Sequence, residues 1–148
     1  MVKETFSKLP VSGQLVVDSK ACIGCRICEL MCSLKHSGEF NPSQALLRII
    51  KNPLLGLYYP ETCKQCAIPA CYYACPVQGA IEIDKATGAR IINKDKCIAC
   101  RRCYEACLLN IITYNSVENF YMKCDLCGGN PVCVEFCSTK AIRYQPRE

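Results

Sequence analysis

The 148-residue sequence contains no tryptophan, one histidine and only twelve aromatic residues, which excludes a core built on large rings. Setting the cysteines aside, its 51% hydrophobic content falls to about 40%, thin for an ordinary core of this size. No apolar run approaches the ~18 residues of a membrane span. The longest, Ala45–Ile50, is interrupted by Arg48. Residues 1–20 have neither a long apolar stretch nor a twin-arginine pair, so a secretory signal is not expected. A cytoplasmic location follows as an expectation, and a secreted disulfide scaffold is disfavoured. Basic runs are missing, so the formal charge of +5 does not point to nucleic acid. Also missing are a phosphate-binding glycine loop, a Ser/His/Asp set and a paired-carboxylate constellation. The chain is therefore not expected to be an enzyme by itself.

What is abundant is cysteine: 16 residues, all in four quartets. Quartet one is Cys22, Cys25, Cys28 and Cys32; quartet two is Cys63, Cys66, Cys71 and Cys75. Quartet three is Cys97, Cys100, Cys103 and Cys107; quartet four is Cys124, Cys127, Cys133 and Cys137. Zinc sites favour cysteine pairs a dozen or more residues apart, which these are not. Disulfides need an oxidising compartment. A tight triplet instead wraps one corner of a cubane, and a cysteine one helical turn later points away to the other cluster of a pair. Four [4Fe–4S] clusters are thus the expected cofactors. With sixteen thiolates on four such cores, the net charge would move from +5 to about −3.

Internal repetition supports this reading. Val17–Arg26 reappears 75 residues later as Ile92–Arg101, sharing the Cys-Ile-x-Cys-Arg core. Quartets two and four each carry a proline two residues before the third cysteine (Pro69, Pro131) and an Ala-Ile pair after the last. The unit is duplicated, then duplicated again. Short β-rich stretches are expected at 14–18, 47–50, 80–84, 89–93, 111–114, 120–123 and 141–144, with a hairpin loop at 84–88. Brief helices are expected near the last cysteine of each quartet, as at 28–35 and 103–110. Residues 37–60 read mostly as a connecting excursion, and 1–12 and 145–148 as arms.

At these residues the sequence resembles the four-cluster iron–sulfur subunits of the dimethyl sulfoxide reductase type, over about residues 18–144. The resemblance is carried by Cys22-Ile23-Gly24-Cys25-Arg26-Ile27-Cys28-Glu29-Leu30, Cys66-Ala67-Ile68-Pro69-Ala70-Cys71, Cys97-Ile98-Ala99-Cys100-Arg101 and Lys123-Cys124-Asp125. Proline follows only Cys75; Ser33, Leu108 and Ser138 stand at the other three places. The fold class implied is α+β, with two ferredoxin-like lobes around four [4Fe–4S] clusters. Spacing alone does not pair the quartets. The hairpin between Cys75 and Cys97 joins quartets two and three into an inner lobe, 55–110. By exclusion, and as the resemblance implies, quartets one and four form an outer lobe, 13–50 plus 111–148, with 1–12 as an N-terminal arm. The cluster ligands are then Cys22, Cys25, Cys28 and Cys137; Cys124, Cys127, Cys133 and Cys32; Cys63, Cys66, Cys71 and Cys107; and Cys97, Cys100, Cys103 and Cys75.

The resemblance implies electron relay between a large catalytic subunit and a second redox partner. The catalytic subunit would bear a tungsten or molybdenum pterin, as in aldehyde oxidoreductases. The second partner would be a flavin subunit, a ferredoxin or another copy of this chain. The competing readings are a free polyferredoxin, a hydrogenase-associated subunit and, remotely, a zinc-stabilised interaction module. Among the other residues, His36 reads as a surface or helix-end residue rather than a ligand. Arg101, Arg102, Lys64, Lys96 and Lys123 read either as a solvated face or as cations that offset cluster charge. Tyr72, Tyr73 and Tyr104 read as shields against water.

Overall fold

The computed structural model describes residues 9–148. Because the apolar residues come in runs of three to five between cysteine quartets, the chain forms short ribbons rather than one broad sheet. Strand β1 (Gln14–Val17) pairs antiparallel with β8 (Ile142–Gln145), joining the two ends of the described chain, with Val17 opposite Ile142. Strands β2 (Arg48–Asn52) and β3 (Leu57–Glu61), β4 (Ile81–Ile83) and β5 (Arg90–Ile92), and β6 (Thr113–Asn115) and β7 (Phe120–Met122) form three further two-stranded antiparallel ribbons. Helix α1 (Ile27–Ser37) packs on α4 (Val132–Glu135), and α2 (Ala70–Ala74) packs on α3 (Arg102–Ala106). The result is a mixed α+β fold of small ribbons and paired helices with the character of ferredoxin-like lobes. No helix among the described residues is long and apolar enough to cross a membrane.

The hairpin loop at 84–88 forms: the Gly88 amide donates to the Asp84 carbonyl at 2.8 Å, and the Thr87 amide to the Asp84 carboxylate at 3.0 Å. The excursion at 37–60 is a different matter, since it contains the β2–β3 hairpin. Pro60 argues against a strand there, but a two-stranded ribbon has only edges, and an edge tolerates a residue without an N–H. Pro60 sits opposite Ile49 and is itself buried. This hairpin spans residues 50–55, where the inner and outer lobes are expected to divide. Residues 1–8 of the expected arm lie outside the described residues. Residues 9–13 run against the inner part of the chain: the Leu9 amide donates to Ala67 O at 3.1 Å and the Gly13 amide to Thr87 O at 2.8 Å.

The helices begin one residue ahead of the third cysteine of each quartet, within one residue of the starts expected at 28 and 103, while their ends shift. Helix α3 ends at Ala106 rather than Asn110, because Cys107 turns extended (φ −77°, ψ 118°). Beyond it Leu108 lies 98% exposed, with nothing to pack on. Helix α1 runs through Cys32 and stops at Gly38, whose φ of 78° suits glycine and lets its N–H close on Leu34 O. Glu29, 2% exposed in the first turn of α1, accepts from Arg26 Nε at 2.6 Å and from the Ile49 amide. Its charge also suits the positive end of the helix. That carboxylate pins α1 to β2.

The core consists of two modest patches. One gathers Leu15, Leu46, Leu47, Phe120, Met122, Leu126 and Ile142 around Cys28, Cys32 and Cys133. The other gathers Ile81, Ile112 and Tyr121 around Cys71 and Cys103. Cysteines are thus built into both cores, as the thin apolar content requires.

Candidate functional site

Each quartet opens on a turn whose geometry recurs although its sequence does not. The residue before the second cysteine is left-handed in all four: Gly24 (φ 70°), Gln65 (φ 46°), Ala99 (φ 55°) and Leu126 (φ 56°). For non-glycine residues this conformation costs roughly 1–2 kcal/mol each. Such strain is characteristic of backbone that must aim groups at a site. At Gly24 a side chain would also collide with the ring of Tyr58, so glycine is required twice over.

The turns and helices bring the cysteines into sets that cross the quartet boundaries. Cys22, Cys25 and Cys28 line a pocket together with Cys137, walled by Ile27, Ile49, Pro60 and Ile142. Cys97, Cys100 and Cys103 line a second together with Cys75, walled by Ile81, Ile92, Ile98 and Tyr121. The remaining cysteines neighbour one another electrostatically. Burial pushes the Cys71 thiol up; Lys123 opposes this, and Cys63 and Cys107 add to it. Burial likewise pushes Cys133 up, followed by the influence of Cys32, Cys127 and Cys28. Cys124 is pushed well up by burial and then by Cys63, Cys133 and Cys32. Across these groups Cys28 acts on Cys133, Cys63 on Cys124 and Cys71 on Cys103.

The donor chemistry fits iron–sulfur clusters. Burial first raises Cys28 and Cys103; backbone hydrogen bonds partly oppose this and neighbouring charge adds to it, taking both from an ordinary 9.0 to about 12. A bound metal in place of the proton offsets that cost. Cys137 moves the other way. Burial opposes its charge, but the Ile142 amide, the Thr139 hydroxyl and the Ala141 amide lower it. The Ala141 N–H lies 3.3 Å from its sulfur, and the Leu46 N–H lies 3.3 Å from that of Cys32. Amide donors of this kind favour thiolate and tune a cluster's potential. A Cys₄ zinc site would instead hold its sulfurs ~3.8 Å apart, from Zn–S bonds of about 2.3 Å. Among the described residues, the group with three ligand atoms within 4.8 Å of one another is not a quartet but His36, Asp125 and Cys127.

His36, expected at a surface or helix end, does lie at the end of α1, but its side chain is only 14% exposed. Nδ1 lies 2.8 Å from Cys32 O and Nε2 3.0 Å from Asp125 Oδ1. Burial works against its charge, but the bonds to Asp125 and Cys32 raise it from 6.5 to about 11. The pair fastens α1 to the quartet-four turn, where Asp125 also accepts from the Cys127 amide at 2.8 Å. Of the cations, Arg101 is a solvated residue paired with Glu105 at 3.5 Å and laid over the Tyr104 ring. Lys96 is exposed and pairs with Glu82 at 3.0 Å. Lys64 reaches the Tyr59 hydroxyl at 3.2 Å, and Arg102 is exposed. Lys123 is different: it is buried at 5% exposure. Tyr104 packs near Tyr121, ring centroids 6.2 Å apart, and Tyr72 meets Tyr73 edge-on at 5.3 Å.

Arg90, at 0% exposure, escapes a reading of the sequence because it stands at an ordinary strand position with no motif around it. Tyr121, which walls the Cys97 cavity, escapes for the same reason.

Comparison with known proteins agrees with this chemistry. Residues 54–147 match the 4Fe-4S dicluster domain family. The chain is 39% identical over 123 residues to the polyferredoxin-like subunit of aliphatic sulfonate oxidoreductase from Pyrococcus furiosus, covering 83% of this chain and 70% of that protein. It is 31% identical over 150 residues to a subunit of the anaerobic dimethyl sulfoxide reductase of Escherichia coli, covering 88% of this chain and 71% of that protein. Among solved structures, a component of the active site complex BamBC of benzoyl coenzyme A reductase with 1,5-dienoyl-CoA superposes with a TM-score of 0.54 at 26% identity, covering 92% of this chain and 76% of that one.

Proposed function

The chain belongs to the 4Fe-4S dicluster domain family, as a ferredoxin-type electron-transfer subunit related to those of dimethyl sulfoxide reductases, and from that premise we propose that it carries four [4Fe–4S] clusters in a line. It is an electron-transfer subunit of an oxidoreductase complex and not a catalyst by itself. The proposed ligand sets are Cys22, Cys25, Cys28 with Cys137; Cys32 with Cys124, Cys127, Cys133; Cys63, Cys66, Cys71 with Cys107; and Cys75 with Cys97, Cys100, Cys103. The observation that carries this reading is the crossing of quartets at the two cavities, where Cys137 joins quartet one and Cys75 joins quartet three. The proposed lobes, outer 13–50 plus 111–148 and inner 55–110, follow from the same crossing.

When bound, such clusters take up and release single electrons. The protein's own part is to exclude water and set the local charge. Isoleucines 27, 49 and 142 wall one end, and isoleucines 81, 92 and 98 the other. Exposed Cys25 and Cys100 lie at the two ends of the line, where a partner would approach. We place a large catalytic subunit at one end, its cofactor a tungsten or molybdenum pterin, and a flavin subunit, a ferredoxin or a second copy of this chain at the other. A cytoplasmic location belongs to the same proposal.

The test is anaerobic purification of the untagged complex. About sixteen iron and sixteen acid-labile sulfide per chain are expected, with tungsten or molybdenum in a co-eluting large chain. Four zinc without sulfide would overturn the cluster reading. Full iron with no metal- or flavin-bearing companion would replace the relay subunit with a free polyferredoxin.

A further inference from the structure

Two cations lie buried in the middle of the molecule without a carboxylate partner among the described residues. Arg90 is at 0% exposure and Lys123 at 5%. Arg90 donates from Nη1 to Gly88 O at 2.8 Å and from Nη2 to Pro10 O at 2.7 Å. Its Nε has no hydrogen-bond partner at all among the described residues. Lys123 Nζ donates to Arg90 O at 2.6 Å and approaches Gln65 Oε1 at 3.4 Å. Gln65 also accepts from the Arg90 amide at 3.0 Å and donates to Cys124 O at 2.7 Å. The network therefore ties the quartet-two turn, the β5 strand and the residue ahead of quartet four into one unit.

Carbonyl oxygens solvate a buried cation only in part, and an uncompensated buried charge is costly. Both cations adjoin the quartet-two turn through Gln65, which stands between Cys63 and Cys66. It accepts from the Arg90 amide at 3.0 Å and lies 3.4 Å from Lys123 Nζ. Against the cost of burial, the influence of Cys66, Cys71 and Cys63 favours the charged Arg90 guanidinium. Neutral thiols would leave both cations uncompensated; thiolates around a cluster would not. We propose that Arg90 and Lys123 are the paired counter-charges of the cluster held by Cys63, Cys66, Cys71 and Cys107. They raise its potential above that of the other inner-lobe cluster, on Cys75, Cys97, Cys100 and Cys103, where Lys96, next to Cys97, is exposed and paired with Glu82 at 3.0 Å. Adding an electron adds one negative charge, and a fixed buried cation favours that state most where water is excluded. Arg90 and Lys123 are positioning residues: they touch neither partner nor substrate, and their effect lies in the potential. The proposal rests on the four-cluster reading.

The test is a redox titration of the holo chain followed by electron paramagnetic resonance. Lys123→Met is expected to lower one midpoint of four, making reduction about tenfold less favourable, or about 59 mV for one electron. Arg90→Gln should lower the same midpoint, Arg90→Lys should restore most of it, and Lys94→Gln on the exposed face should move none. A Cys107→Ser substitution in the same chain, by altering one signal, identifies the cluster concerned. If Arg90→Gln loses four iron, Lys123→Met, which keeps the side chain's length and apolar stem, decides alone. Sixteen iron with unmoved midpoints, or a shift confined to the Cys97 set, overturns the assignment and leaves the four-cluster reading standing. Fewer iron in the parent chain overturns both.

Discussion

The ends and the middle of the proposed line of clusters use one motif in two environments. At the ends, the Cys22 and Cys97 sets line cavities walled by isoleucine, and Cys25 and Cys100 are exposed. In the middle, Cys32, Cys63, Cys71 and Cys133 are buried, and the groups around them are charged: His36 with Asp125 on one side, Arg90 with Lys123 on the other. Cys66 in the middle is exposed as Cys25 and Cys100 are, so what distinguishes the middle is its fixed charge, which competes less with water and salt where it is buried. A repeated sequence unit is thus specialised by what packs against it rather than by its ligands.

The largest expected effect removes the difference altogether. Stripping metal by chelation or oxidation should unfold both regions together, since cysteines are built into both apolar patches. Circular dichroism of the apo chain at 25 °C should show loss of cooperative structure; retention of a native melting transition would contradict the metal-dependent core.

A smaller effect separates interior from surface. Leu126→Ala, at a fully buried position beside Cys124, should cost about 2–5 kcal/mol in denaturant melts of the holo chain. Leu108→Ala, at 98% exposure beside Cys107, should stay within about 0.5 kcal/mol. Equal losses would mean that neighbourhood to a cysteine, not burial, sets stability.

The two end turns give a finer comparison. Gly24 and Ala99 occupy matching places with φ of 70° and 55°. Gly24→Ala should destabilise by more than about 1 kcal/mol, because the Tyr58 ring must move as well. Ala99→Gly should be close to neutral, relief of strain offsetting the freer unfolded chain. Thermal melts of the two variants, or the iron retained after mild chelation, would reveal the asymmetry.

The smallest effect lies in the β4–β5 turn, at the margin of the Arg90 network. The Thr87 hydroxyl and amide hold Asp84 below its ordinary carboxyl value of 3.8. Its contribution is therefore present above 3.8 and fades as pH falls through the lowered folded value. Asp84→Asn should be less stable than the parent near neutrality, and the gap should narrow as pH falls below 3.8. A gap that stays constant with pH would remove the carboxylate from the turn's account.

How much of this is legible in the residues differs by kind of feature. The β4–β5 hairpin is legible because Asp84-Lys85-Ala86-Thr87-Gly88 has turn chemistry in its own residues. Strand β3 is not, because Pro60 argues against a strand unless one knows that the ribbon has only edges. The helix starts at 27 and 102 fall within one residue of those expected at 28 and 103, but nothing local announces that Arg26 and Arg101 adopt left-handed conformations at the helix entries. His36 draws attention as the only histidine, yet its bond to Asp125 spans 89 positions. Arg90 draws none.

By itself, then, the sequence determined the donor set. Thiols grouped three within seven to nine or ten residues, four times over, restrict the chemistry to metal centres, because spacing of that kind is local and survives any fold. It also carried the double duplication and a composition poor in apolar residues, from which dependence on metal is expected. Tertiary structure alone decided which thiols stand together, as Cys137 does with Cys22, Cys25 and Cys28 across more than a hundred residues. It alone decided that Lys123 is buried while Lys96, at the matching place one repeat earlier, is exposed. Charge in solution is cheap and charge in a closed interior is not, so the meaning of a lysine is set by what surrounds it, and that is a property of the fold.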